Sequence, residues 1–368
     1  MKKTLCILGI RGIPAAHGGF ETFAEQLALY LVSREWSVTV YCQEESAGQI
    51  SEDTWCGIRR VKVPVAKRGA AGTVIFDWKA IDHLISNKTG NELVLTLGYN
   101  TALFCIRLRL AGLRNIINMD GIEWKRDKWR WYERAWLWIN ERAGCVTGDQ
   151  LVADHPSIAD HLATRVSRSK ITTIPYGAHD VHDADIERLK EFDLEPGRYI
   201  TVIARPEPEN SILDIVRAFS RRPRGYNLVL LGNYKPKVST FHRAVVESAS
   251  SEVKFLGAIY DRSVVNALRV YSRLYVHGHR VGGTNPSLVE ALGCQSAVLA
   301  HDNQFNRWVA GNEAFYFSDE ASCANAFDEL LVNDAKIERM KAASRNRFLE
   351  AFTWPQVLFQ YERLFLNW

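Results

Sequence analysis

The chain has no C-x-x-C pair, no H-E-x-x-H motif, and no run of about 18 apolar residues. The first two absences exclude the common zinc and dithiol sites, and the third excludes a membrane-spanning helix. Seven cysteines are scattered at positions 6, 42, 56, 105, 145, 294 and 323. An odd count leaves one unpaired, which is the pattern of reduced thiols in a cytoplasmic protein. Strong charge of either sign is also missing. The 46 basic and 42 acidic side chains leave a net +4, which gives no reason to expect a nucleic-acid partner. There is no P-loop, no G-x-S-x-G elbow and no G-x-G-x-x-G fingerprint. The opening "MKKTLCILGIRG" sets lysines before an apolar run. That run is about six residues, shorter than a signal-peptide core, so a first β-strand is expected.

What is present is 368 residues, 47% hydrophobic and 24% charged, enough for two cores. Apolar runs alternate with amphipathic segments. "TLCILGI", "SVTVYC", "LVLTLG", "NIINMD", "QLVAD" and "KITTIP" read as buried strands. After the first, Phe20, Phe23, Ala24, Leu27, Ala28 and Leu31 recur at helical spacing. The polar stretch from Gly177 to Gly197 breaks the rhythm, which restarts with "YITVIA", "NLVLLG", "VKFLG", "RLYVHG", "SAVLA" and "AFYF". Strands alternating with helices predict α/β architecture: two doubly wound parallel-sheet domains in tandem. The expected bounds are 1–178, 179–350, and a closing segment 351–368. In that segment Val357, Leu358, Tyr361, Leu364 and Phe365 share a helix face. Such sheets bind ligands at the carboxyl ends of their strands, so two of them facing each other would form a cleft.

Several segments carry chemistry. In "GIRGIPAAHGGFETFAEQLA", Gly18 and Gly19 precede a helix, where backbone can approach an anion closely. In "VGGTNPSLVEALG", Thr284 or Asn285 caps a short helix over 285–292, Pro286 opens it and Gly293 stops it. Its free N–H groups suit a diphosphate, and Glu290 lies about one turn in. Arg205 follows the strand "YITVIA" directly and can pair with phosphate charge. Asp120 ends "NIINMD". His17 and His155 lie near strand ends, with His155 expected to be a plain surface residue. The stretch "EWKRDKWRWYERAWLWINERAG" holds five tryptophans among lysines and arginines. Trp129, Tyr132, Trp136 and Ile139 are expected on one helix face, with Trp131 and Trp138 beside it. Packing inside the domain and contact with an acidic membrane surface are both open for this stretch.

The segments "GIRGIPAAHGGFETFAEQLA", "MDGIEWKRDKW", "IPYGA", "ARPEPEN" and "GGTNPSLVEALG", in that order, resemble the GT-B retaining glycosyltransferases of family 4. More narrowly they resemble its bacterial rhamnosyltransferase-type subgroup, which builds capsule, O-antigen and cell-wall chains. The resemblance implies a nucleotide-sugar donor with its diphosphate on Thr284, Asn285 and Ser287, its charge met by Arg205 and its ribose held by Glu290. It implies Gly18 and Gly19 near the donor, Asp120 orienting sugar or acceptor, no metal, and a C-terminal helix crossing back to the first domain. The implied activity is transfer of a hexose, L-rhamnose from dTDP-rhamnose, to a lipid-linked saccharide at the cytoplasmic face of a membrane. A UDP- or GDP-sugar transferase and a non-catalytic sugar-nucleotide-binding subunit stay open as alternatives. Two departures stand out. Gly282 occupies the place of a family Glu that touches the donor sugar, and Asn210 that of a family Lys. Asp120 stands where many relatives have His.

Overall fold

A computed structural model describes residues 3–16, 18–126 and 128–367. The chain divides into two compact units, Met1–Pro175 with Trp354–Trp368, and Tyr176–Thr353.

The first unit is built on an eight-stranded sheet: β1 (Thr4–Leu8), β2 (Ser37–Glu44), β3 (Ser51–Trp55), β4 (Ile58–Pro64), β5 (Glu92–Leu97), β6 (Arg114–Asn118), β7 (Gln150–Ala153) and β8 (Ile171–Thr173), in the order β3-β4-β2-β1-β5-β6-β7-β8. Helices α1 (Gly19–Ser33), α2 (Gly69–Ser86), α3 (Ile106–Leu110), α4 (Trp131–Thr147) and α5 (Pro156–Ala163) connect the strands. The central strands are buried almost without break, as a sheet covered on both faces requires. The sheet is not wholly parallel. β3 runs antiparallel to β4, which the strand reading missed because "SEDTW" has no apolar alternation. Cys56 and Gly57, both at positive φ, close this hairpin as a two-residue turn. Arg59–Glu52 and Arg60–Asp53 ion pairs cross it.

The second unit carries β9 (Tyr199–Ile203), β10 (Asn227–Leu231), β11 (Val253–Gly257), β12 (Leu274–His277), β13 (Val298–His301) and β14 (Phe315–Phe317), ordered β11-β10-β9-β12-β13-β14 and parallel throughout. Its helices are α6 (Ile212–Ser220), α7 (Thr240–Glu247), α8 (Arg262–Val270), α9 (Pro286–Gly293), α10 (Gln304–Ala310), α11 (Glu320–Leu330) and α12 (Asp334–Ala351). One core lies between the sheet and α6 with α11, where Ile212, Ile215, Val216, Phe219 and Phe327 are fully buried. A second gathers Leu288, Val289 and Leu292 of α9 with Phe348 of α12.

The last helix, α13 (Trp354–Leu366), belongs to the first unit. Val357, Leu358, Tyr361, Leu364 and Phe365 are all buried, against Phe23 of α1 and Trp36 among others. At roughly 1.5–3 kcal/mol for each large apolar side chain buried, this face alone explains the docking. Glu362 tightens it by accepting from Tyr30 Oη at 2.8 Å and Trp36 Nε1 at 3.4 Å.

Both sheets reverse strand order beside their first strand, between β1 and β5 and between β9 and β12. Such switch points open a crevice at the carboxyl ends of the strands. In the second unit the chain makes room for it with Gly278. A Cβ there would lie 2.1 Å from the Asn210 carbonyl oxygen and 2.8 Å from Ile215 Cδ1. Backbone cannot yield as a flexible side chain can, so Gly278→Ala is expected to destabilise the second unit by about 3 kcal/mol. Thermal unfolding of the purified variant checks this, and an unchanged midpoint would contradict it.

Candidate functional site

The residues at the second switch point come from three elements. α9 opens on Asn285, whose side chain accepts from the Ser287 N–H at 3.2 Å, with Pro286 as the first helical residue. Thr284 is buried just before it. The helix spans the expected residues, but Gly293 is not its left-handed terminator. That role falls to Gln295 (φ 55°), with Ser296 N–H donating to Ala291 C=O and Gln295 N–H to Leu292 C=O. Gly293 is instead a packing residue: a Cβ would come 2.4 Å from the His179 carbonyl oxygen.

Glu290 does not stand alone. Its Oε2 accepts from Arg269 of α8 at 2.6 Å, and the same guanidinium reaches Ser287 Oγ at 3.3 Å. Ser287 Oγ also meets Tyr275 Oη at 2.7 Å. Arg269 is buried at 3% exposure, while the Glu290 side chain is 37% exposed and its Oε1 makes no hydrogen bond among the described residues. A buried charge is expensive unless paired, so the arginine is held by the carboxylate and in turn fixes how the carboxylate points. Burial opposes charge on Arg269, but the adjoining Glu290 outweighs it and raises its pKa. Nothing in the linear pattern marked Arg269. It lies 21 residues from its partner, on a helix whose other charged residue, Arg262, is exposed.

Arg205 follows β9 and is exposed, and its guanidinium has no hydrogen-bond or ion-pair partner among the described residues. Its loop is fixed through the backbone: Asn210 Nδ2 donates to the Arg205 carbonyl at 2.8 Å. Asn210 is buried, and its Oδ1 has no partner among the described residues. At the end of β12, His277 is also buried, with both ring nitrogens unpartnered and its ring stacked on His279 at 4.2 Å. Burial, His279 and Arg269 push the His277 pKa far down, so the ring is neutral. These are unused hydrogen-bonding groups at the carboxyl edge of β9 and β12. The "HGH" that closes the strand was the signal available for His277. Gly282 sits at φ 140° with open space where a Cβ would be. Any side chain here would need this backbone conformation to change.

In the first unit, Gly18 and Gly19 lie at the β1–β5 switch point. Gly18 caps α1 in an extended conformation open to any residue, and a Cβ would meet only Glu21 Oε2, at 3.2 Å. Internal packing therefore gives little reason for glycine there. The preceding loop is tied back by Glu21, which accepts from Arg11 N–H at 3.2 Å, and Glu25, which accepts from Ala15 N–H at 2.6 Å. His17 lies outside the described residues. His155 is not a surface histidine. It is 1% exposed and caps α5, its Nδ1 accepting from Ser157 N–H at 2.9 Å.

Asp120 lies two residues past β6 at φ 53°, the left-handed region, with its N–H bonded to Asn118 Oδ1 at 3.0 Å. Burial, then the charges of Glu123 and Asp154, push its pKa up to about 7. Glu123 goes the other way: burial opposes its charge, but Arg126 and Lys128 outweigh burial and hold it low. A raised acid pKa adds stability that is complete below the unfolded value, about 3.9, and lost as pH rises through about 7. Asp120→Asn, which tolerates the left-handed backbone, is expected to flatten that slope. Melting temperatures of both proteins at pH 5 and pH 8 should show the wild type losing more; parallel losses would contradict it.

The tryptophan-rich stretch differs from the expected single helix face. Trp129 precedes α4, and its indole N–H donates to Glu123 at 3.3 Å. Trp136 donates to the Asn100 carbonyl at 2.8 Å, and Trp124 to Glu141 at 2.8 Å. Trp131 and Trp138 are exposed.

Residues 2–179 match a family described as "Domain of unknown function (DUF1972)", and residues 212–363 one described as "Glycosyl transferase-like". The sucrose-phosphate synthase of Thermosynechococcus elongatus superposes with a TM-score of 0.83 at 18% identity, over 100% of this chain and 99% of that one. The fold is that of the GT-B glycosyltransferases. An Anabaena protein, HepE, solved in complex with UDP and glucose, matches this GT-B chain at TM-score 0.77 and 12% identity over 100% of both chains. An α,α-trehalose-phosphate synthase (UDP-forming) of Burkholderia xenovorans, in complex with glucose-6-phosphate, matches at 0.75 and 11% over 99% and 100%. No curated protein matches the sequence. Among the described residues no cluster of His, Cys, Asp and Glu could hold a metal ion, and no helix is long and apolar enough to cross a membrane.

Proposed function

We propose that this GT-B chain is a nucleotide-sugar glycosyltransferase that moves L-rhamnose from dTDP-rhamnose onto a lipid-linked saccharide in cell-surface polysaccharide synthesis, with retention of configuration. The observation that carries the transferase reading is the second switch point. There an exposed Arg205, without a partner among the described residues, and the start of α9, which carries the anchored Glu290, follow the neighbouring strands β9 and β12.

In this reading the diphosphate rests at the start of α9, on Thr284, Asn285 and Ser287, where a helix start favours anions. Arg205 meets the charge that grows on the diphosphate as its bond to the sugar breaks. The protein's own donors do the work a metal does elsewhere, so activity is expected to survive chelation. The acceptor oxygen bonds the anomeric carbon on the face the diphosphate leaves, and a diphosphate oxygen takes the acceptor's proton. Asp120 is assigned to orienting sugar or acceptor, and Gly18 and Gly19 to close approach to the donor. The chain then contacts the membrane peripherally, where its lipid-linked acceptor resides.

Glu290 bears on the donor base. Its Oε2 is engaged by Arg269 and its Oε1 makes no hydrogen bond among the described residues. A ribose offers two vicinal hydroxyls and a 2′-deoxyribose one, so a half-engaged carboxylate suits the deoxynucleotide. A UDP-sugar is the second reading, favoured by the UDP held in the similar Anabaena structure.

The test is nucleotide release with dTDP-rhamnose, UDP-sugars and GDP-sugars offered separately beside membrane-extracted lipid-linked acceptor. Acceptor-dependent release of dTDP is expected. Release from UDP- or GDP-sugar alone would replace the donor, and binding without turnover across the panel would mark a non-catalytic subunit.

A further inference from the structure

Among the described residues, nine of the seventeen exposed large apolar side chains fall between Trp78 and Val146. They are ordered rather than scattered. On α4, Trp131, Trp138 and Val146 lie seven and eight residues apart, along one stripe at 80%, 41% and 66% exposure. Leu103, Ile106 and Leu110 make a second stripe on the short helical turn before α3 and on α3 itself, with Leu110 82% exposed. The two stripes adjoin. Arg109 donates to the Val146 carbonyl at 2.7 Å, and Leu103 N–H to Asn140 Oδ1 at 2.9 Å.

Cations line these stripes. The Arg142 guanidinium stacks 3.3 Å from the Trp138 ring centre, and Arg109 is exposed beside Leu110. An open hollow of about 740 Å³ runs between Trp131 and Trp138, with Lys125 and Arg134 in its wall. Lys125 has no ion-pair partner among the described residues. Among the described residues the acids of this face are few: Asp82 pairs with Arg107, and Glu133 caps α4.

We propose that the outer face of α3 and α4 is the surface by which this chain lies on an anionic lipid bilayer. Exposed tryptophans with an apolar body suit the headgroup boundary, and arginines and lysines around them suit acidic lipids. The hollow between the tryptophans, walled by Lys125 and Arg134, would receive a lipid phosphate. A second copy of the chain fits less well, because a two-fold contact through this face would set Arg109, Arg142 and Lys125 against their own copies. This deepens the membrane contact in the proposed function by assigning it to Trp131, Trp138 and Leu110. Trp129 and Trp136 are excluded, since their indoles are bonded inward.

The experiment is co-sedimentation with phosphatidylcholine vesicles, with and without phosphatidylglycerol, for the wild type and the triple variant Trp131→Ser/Trp138→Ser/Leu110→Ser. The wild type is expected to pellet with the anionic vesicles, less so as salt rises, and the variant about tenfold less. All three side chains are exposed, so the variant should fold, which its melting temperature and its binding of dTDP report. Equal pelleting by wild type and variant, or none by either, overturns the assignment. So does a wild-type dimer that the variant breaks without any vesicle binding. Loss of vesicle binding with dTDP binding retained separates failure at this surface from failure of the transferase reading.

Discussion

Arg205→Ala is expected to lower kcat/KM for sugar transfer by about 10²–10³-fold, the range seen when one preorganised donor to a developing anion is removed. The melting temperature should hardly move. The guanidinium is exposed and makes no ion pair or hydrogen bond among the described residues, so folding does not use it. Kinetics with the assigned donor, beside a thermal melt, check both halves. Arg205→Lys should recover part of the rate, since a point charge remains but the planar fork does not. Wild-type turnover in the alanine variant would remove Arg205 from the site.

Glu290→Gln is expected to weaken nucleoside diphosphate binding by about 10–100-fold, as a hydrogen bond to a charged group is worth roughly 1.5–3 kcal/mol. The same change leaves Arg269 buried without its counter-charge. Stability should therefore fall as well, and affinity must be measured below the variant's melting temperature. Arg269→Met separates the two effects. It removes the buried cation and leaves a carboxylate whose open side water can solvate. Its stability should stay near wild type, while a carboxylate no longer held in place should bind nucleotide more weakly. Calorimetric titration of both variants tests this. Affinity unchanged in the methionine variant would show that Arg269 is structural only.

Much of this fold was legible because its signals are local. Parallel strands buried on both faces read as unbroken apolar runs, and α9 carries its own start in Asn285 and Pro286. The parts that were not legible depend on distance in the chain or on a weak pattern. β3 is polar at most positions and announces itself only through the Cys56–Gly57 turn. His155 looks like a surface residue until its ring is seen to cap α5 from inside. At the candidate site, Arg205, Asn285 and Glu290 could be picked out by their place after a strand or at a helix mouth. Arg269 could not, because what brings it to Glu290 is the folded chain, across 21 residues of sequence. His277 stayed hidden, and Asn210 was marked only as a departure from the family's Lys, for a related reason. A buried polar group without a partner is a property of the folded surroundings, and a residue type alone does not show it.

The most direct measurement is calorimetric titration of dTDP into the wild-type protein in the presence of a metal chelator. Saturable one-to-one binding that weakens at least about tenfold in Glu290→Gln is predicted, with UDP no tighter than dTDP. No saturable binding of dTDP, UDP or GDP, or binding that ignores Glu290, would contradict a nucleoside diphosphate site at the mouth of α9.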